Sequence, residues 1–119
     1  MIKSFMDLEV WRIAHETTLA VYDVVKAFPH DERYVVSAQM RRAAISIPAN
    51  IAEGFGRRTD ADRRHFYVVS RGSVEELRYY FVLARDLKYK LDASVLLERL
   101  DRVGAMLFRM IERLQPGRS

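Results

Sequence analysis

Four arginines in the middle of the chain recur at one interval: Arg64, Arg71, Arg78 and Arg85 stand seven residues apart. On an α-helix that spacing returns to nearly the same side, so the four would line one flank for about 30 Å. Arg57, Arg58 and Arg63 cluster just before them, and Arg102 and Arg109 repeat the spacing further on. A ridge of guanidiniums can follow a phosphate backbone, each neutralised phosphate adding a salt-dependent increment of affinity. The same residues also have acids three or four positions away, in Asp60–Arg64, Arg71–Glu75, Glu75–Arg78 and Glu98–Arg102. Those pairs would make a solvated, salt-bridged face instead. Both readings stay open at the level of sequence.

A second pattern is polar rather than cationic. Gln39, Arg42, Ser46, Asn50, Glu53 and Arg57 follow helical spacing. Ser and Asn are poor interior helix residues because they bond backbone groups elsewhere, so their use here asks for a reason beyond solvation. Ser73 and Glu76 interrupt an otherwise apolar seam further along, and an unpaired carboxylate there would be costly. Arg42, Asn50, Glu53, Ser73 and Glu76 are therefore expected to form a structural polar network between helices or between subunits. The competing chemistry is catalysis by the Glu53 and Glu76 carboxylates, which would need raised pKa values in a concave pocket.

Other chemistry finds little support. Cysteine is absent and only His15, His30 and His65 represent histidine, widely separated. No metal-type pair and no Glu-x-x-His pattern of di-iron bundles occurs. Gly54-Phe55-Gly56-Arg57 follows a helix rather than a strand and lacks the Gly-Lys-Ser/Thr element, so it reads as a helix-end turn. No serine has evident His/Asp company. The expectation is a protein that is not an enzyme, with no catalytic residues, metal or cofactor.

The elements that must position these residues are helices. Residues 7–28 carry Leu8, Trp11, His15, Thr18, Tyr22 and Val25 at 3-4 spacing, which predicts a first helix with His15 at its interior or boundary. Pro29 ends it. Residues 32–56 carry Met40, Ala44, Ile47 and Ile51, with Pro48 inside the pattern, which predicts a kink or local break there. Residues 60–89 begin at Thr59 as N-cap, with Phe66, Val69, Ser73, Glu76, Tyr80, Leu83 and Leu87 as the seam. Residues 93–114 carry Leu96, Leu100, Val103, Leu107, Met110 and Leu114, and Pro116-Gly117 stops them. Four helices with short connections predict an all-α, antiparallel up-down four-helix bundle, one domain over residues 1–119, with helix 2 kinked near Pro48.

Composition agrees with that class. Half of the 119 residues are apolar, 30% are charged, and Gly and Pro are few. The net charge of +4 permits attraction to RNA or DNA without requiring it. Charges interrupt every apolar run well short of the roughly 20 residues of a membrane span, and the N-terminus does not read as a signal peptide. The expected place is the cytoplasm, with no membrane partner. On the outward side of helix 3, Val68, Tyr79 and Val82 suggest a second packing surface, hence an interface in a homo-oligomer.

Several segments, taken together, resemble a known family. Phe5-Met6-Asp7-Leu8-Glu9-Val10-Trp11 looks like its opening F-x-D-L-x-V-W. Phe28-Pro29 followed by Glu32 resembles its first turn. Gln39-Met40-Arg41-Arg42-Ala43-Ala44-Ile45-Ser46-Ile47-Pro48-Ala49-Asn50-Ile51-Ala52-Glu53-Gly54 is nearly its central signature, and Arg71-Gly72-Ser73-Val74-Glu75-Glu76-Leu77 is similar to its G-S-x-x-E-L. The family is that of the 23S rRNA-intervening-sequence proteins, and the similarity covers about residues 5–90. Lys88 stands where the family often has Gly, which implies a differently built loop, and Ser70 replaces the usual Ala. The resemblance implies a bacterial four-helix bundle that assembles as a ring, a pentamer. The family name records where some of its genes sit and not an activity. Accessory variability proteins of diversity-generating retroelements are distantly similar. They form basic pentameric barrels that bind nucleic acid and a reverse transcriptase, so the resemblance extends the expected partners to RNA, DNA or a polymerase-like protein client. Gly72 falls within the family's third-helix motif and costs about 1 kcal/mol relative to Ala in a helix, which suggests a close helix approach.

Overall fold

The structure, a computed structural model, describes residues 1–116, with the backbone alone described for residues 32–34. Its long helices are α1 (Glu9–Val25), α2 (Ala38–Phe55), α3 (Asp60–Asp86) and α4 (Ser94–Arg113). A 3₁₀ turn, Phe5–Asp7, precedes α1, and a 3₁₀ turn and a π-helical turn, Arg33–Ser37, lead into α2. The helices pack in cyclic order, α1 on α2, α2 on α3, α3 on α4 and α4 on α1. This is the expected four-helix bundle.

Local signals set the ends. Ser4 and Asp7 form a capping box, with the Ser4 hydroxyl accepting from the Met6 amide and the Asp7 carboxylate accepting from the Ser4 amide. The Lys3 and Ser4 amides hold the Asp7 carboxyl below the usual carboxylate range. Thr59 caps α3 by accepting from the Asp62 amide at 3.1 Å. At the other end of α3, Lys88 adopts φ 63°. Its amide bonds Arg85 and the Tyr89 amide bonds Ala84, which is the Schellman closure usually given to glycine. The loop therefore keeps the left-handed turn despite Lys88. Tyr89 then packs against Phe28, with ring centroids 5.1 Å apart. Helix α4 ends at Arg113, before Pro116; Gly117 lies outside the described residues.

Helix α2 runs through Pro48 without interruption. A proline removes the amide that would bond the carbonyl four residues back, here that of Ala44. The Thr18 hydroxyl of α1 donates to that carbonyl at 2.9 Å. Ser70 of α3 donates to the neighbouring Ile47 carbonyl at 2.8 Å. The expected break is thus reduced to one missing bond, replaced from the adjacent helix.

The core is built from Val10, Ala14, Val21, Met40, Ala44, Ile47, Ile51, Val74, Leu77, Phe81, Leu100, Val103 and Leu107, among others. The seams expected for α2 and α4 hold in the main. Those expected for α1 and α3 are rotated. In α1 the inward residues are Val10, Ile13, Ala14, Thr17, Thr18, Val21 and Val25, so Thr18 and Val25 of the expected seam do face the core. Trp11 is half-buried, whereas His15 and Tyr22 are exposed. In α3 the inward residues are Tyr67, Ser70, Ser73, Val74, Leu77, Phe81 and Ala84. Val69 and Leu87 are exposed. Both helices carry apolar residues in two adjacent phases. The inward phase is the one with small residues, Ala14, Thr17, Ser70 and Ala84, which let backbones approach.

Candidate interaction surfaces

Between α2 and α3 lies a row of polar side chains that satisfy one another. Ser46 Oγ and Ser73 Oγ are 2.8 Å apart, and Asn50 Nδ2 donates to the Ser46 carbonyl and hydroxyl at 2.8 and 2.9 Å. About one turn along, the Arg42 guanidinium pairs with Glu76, and the Tyr80 hydroxyl donates to the same carboxylate at 2.9 Å. Arg42 Nε donates to Gln39 at 2.9 Å. The bond to Glu76, followed by that to Tyr80, holds Arg42 above its already high ordinary pKa. Burial, with the Glu76 carboxylate beside it, pushes the Tyr80 phenol above 10.0. Arg42, Asn50, Ser73 and Glu76 are thus brought together across two helices, as two clusters. Glu53 is not among them: it faces solvent and lies 3.6 Å from Arg57 of its own helix turn. The two carboxylates do not converge on one site.

The arginine row is divided. Arg78 pairs with Asp101 of α4 and lies 3.3 Å from Glu75. Arg85 reaches its neighbour Asp86 at 3.0 Å, and Arg63 reaches Asp60 at 3.4 Å. Arg57, besides Glu53, lies over the Phe66 ring at 4.6 Å. Arg102 pairs with Glu9 of α1 at 3.2 Å, not with Glu98. Among the described residues, no carboxylate comes within 4 Å of Arg58, Arg64 or Arg71. Arg64 Nε is screened from solvent and has no hydrogen-bond partner among the described residues, and Arg71 stacks over Phe108 at 5.2 Å.

Beside this row α3 presents an apolar strip to solvent. Val68 is 44% exposed, Tyr79 57% and Val82 41%. Gly72 lies in the same strip, and a Cβ placed on it would meet nothing within 4 Å. The close helix approach expected at Gly72 is therefore absent among the described residues of this chain. The glycine that is tightly held is Gly54, where a Cβ would come 2.7 Å from Tyr67 Cε1 and 3.1 Å from Phe66 Cβ.

The residues misassigned to the core of α1 make a second outward surface. Phe5, Trp11 and His15 form a continuous aromatic run, with centroid separations of 5.0 and 4.9 Å. Leu19, Tyr22 and, from α2, Ile45 are exposed, and Arg41 lies over the Tyr22 ring at 5.8 Å. The 3-4 spacing of Trp11, His15 and Tyr22 is the signal for this surface, whereas Thr18 within the same pattern is buried and bonds α2.

Between α3 and α4 two depressions open. One, of about 510 Å³, is lined by Phe81, Val82, Leu91 and Leu97 with Arg78 and Arg85 at its edge. The other, of about 400 Å³, is lined by Val68, Gly72 and Phe108 with Arg64 and Arg71. Glu53 and Glu76 line neither. Among the described residues, no cluster of three side chains suited to a metal ion forms, and no helix is long and apolar enough to cross a membrane.

A family model, 23S rRNA-intervening sequence protein, matches the chain over residues 6–109, a span that includes the α2 residues and the Ser73 and Glu76 positions of α3. The chain belongs to that family. The match to the 23S rRNA-intervening sequence proteins takes in most of α4 as well as the three helices whose motifs carry the resemblance. No curated protein matches the chain.

Proposed function

We propose that this 23S rRNA-intervening sequence protein is a non-enzymatic bundle that works as a homo-oligomer. One observation carries the reading. Helices α1 and α3 each have an apolar seam in the core and a second one facing solvent, of which Leu19, Tyr22, Val68 and Tyr79 are the exposed members. Exposed strips of this kind mark contact surfaces. They differ from one another, so a contact between them is heterologous and closes into a ring when its rotation permits. The ring of five copies implied by the resemblance is the size proposed.

Within such a ring every copy turns the same bundle end to the same rim. The α2–α3 turn would then repeat Arg57, Arg58 and Arg63 around it. The acids that Arg57 and Arg63 reach are exposed ones three or four residues away, and surface pairs of that kind contribute little. We assign this rim the binding of RNA or DNA backbone in the bacterial cytoplasm, without base preference. Gel shift at low salt should detect it, and affinity should fall steeply with salt, with a logarithmic slope of about −0.9 per neutralised phosphate on duplex DNA. Arg57→Glu with Arg58→Glu should abolish the shift while leaving the sedimentation coefficient unchanged. Absence of any shift with either nucleic acid at low salt refutes the assignment.

The pairing of Arg78 with Asp101 across α3 and α4 favours a second reading, a scaffold for a polymerase or other protein client. Retention of a client through nuclease treatment and high salt would select it.

A further inference from the structure

The charged rows that border the two outward seams have opposite sign and the same period. On α3 the row is Arg64, Arg71, Arg78 and Arg85. On α1 it is Glu9, Glu16 and Asp23, also seven residues apart. Helical phase places the acid row beside Leu19 on the side of α1 nearer α4, where Glu9 meets Arg102. It places the arginine row between Val68 and Tyr79 and the α4 side, where Arg71 meets Phe108 and Arg78 meets Asp101. Each surface is thus an apolar strip bordered by one such row, with Arg12 and Lys26 also exposed beside the acids, Lys26 on Asp23, and Glu75 and Asp86 beside the arginines, on Arg78 and Arg85. Among the described residues, Glu16 has no cation within 4 Å, and Arg64 and Arg71 have no acid.

We infer that α1 of a second copy seats on α3, with the acid row over the arginine row and Glu16 opposite Arg71. This rests on the assembly reading above and names its contact. The axial level follows from bonds inside one chain. Thr18 is level with Ala44 through its hydroxyl, and Ser46 is level with Ser73. Since α2 runs antiparallel to both helices, Thr18 lies near the level of Glu75. With the helices parallel to the ring axis, a closed ring adds no translation along them, so these levels carry over to the next copy. Glu16 then stands within about 3 Å, axially, of Arg71, as does Asp23 of Arg78 and Glu9 of Arg64. His15 comes level with Gly72, where the bare backbone leaves room for a side chain, and Tyr22 comes level with Tyr79. Glycine mid-helix is unfavourable, and this contact supplies the close approach that the single chain does not.

Charge reversal tests the pairing. Glu16 and Arg71 are exposed, so E16R and R71E chains should keep native helix content by circular dichroism. In sedimentation equilibrium each single variant should associate at least tenfold more weakly than the unmodified protein, through like-charge repulsion. The double variant E16R/R71E should recover association, because a heterologous contact brings the two exchanged residues together again. If the unmodified protein assembles but both single variants assemble as well as it does, or the double variant stays dissociated, this contact is wrong and the assembly reading survives. If the unmodified protein sediments as single chains at micromolar concentration, both fall.

Discussion

On the α2 side of α3, Ser70, Ser73, Glu76 and Tyr80 each end on another group of the same chain, and Gly54 lies beneath Tyr67. On its outward side the strip of Val68, Gly72 and Tyr79 is open, and Arg64 and Arg71 beside it lack acids among the described residues. One flank is finished by folding; the other has the same density of particular residues and no internal account of them. The difference separates what the helix contributes to stability from what it offers to association, and substitutions on the two flanks should therefore behave differently.

The largest contrast is between the two glycines of these flanks. Gly54→Val forces a branched side chain against the buried Tyr67 ring and should cost about 1–3 kcal/mol of stability, read as a lowered denaturant midpoint. Ser70→Ala removes one buried cross-helix bond and should cost about 0.5–1.5 kcal/mol in the same measurement. Gly72→Ala should do the reverse. It should stabilise the dissociated chain by up to about 1 kcal/mol through helix propensity, yet weaken association in sedimentation, since it fills the strip. A loss of stability there would mean that the open flank is closed after all. The smallest effect concerns Tyr80. Its phenol is held above the ordinary 10.0, so its neutral form favours the fold; that contribution is complete below pH 10 and lost as pH rises through the folded-state value. Tyr80→Phe should be less stable than the unmodified protein at neutral pH, with the gap narrowing above pH 10 in urea titrations. A constant gap would remove Tyr80 from the network.

Much of the fold was legible because α4 and α2 have one apolar phase each. In α1 and α3 two phases compete, and periodicity favours the larger side chains, Trp11, Tyr22, Val69 and Leu83. Packing selects the smaller ones, because only Ala14, Thr17, Ser70 and Ala84 permit close helix contact. The polar network was visible through Ser46, Asn50 and Ser73, residues a helix does not use without cause. The fate of the arginines was not visible, since Arg78–Asp101 and Arg102–Glu9 join different helices and no local spacing rule reaches them. Lys88 misled in a similar way, since its substitution for glycine left the turn intact and added a local cost of about 1–2 kcal/mol.

Pro48 has a consequence beyond its own helix. By surrendering the Ala44 carbonyl to Thr18, it ties the backbone of α2 to α1 through a bond that sliding by a single turn would sever. Apolar side chains alone tolerate such slippage, since a heptad looks alike one repeat along. Leu19 and Tyr22 from one helix and Arg41 and Ile45 from the other therefore stay in fixed alignment, and the patch they compose is offered to any neighbour as one rigid template.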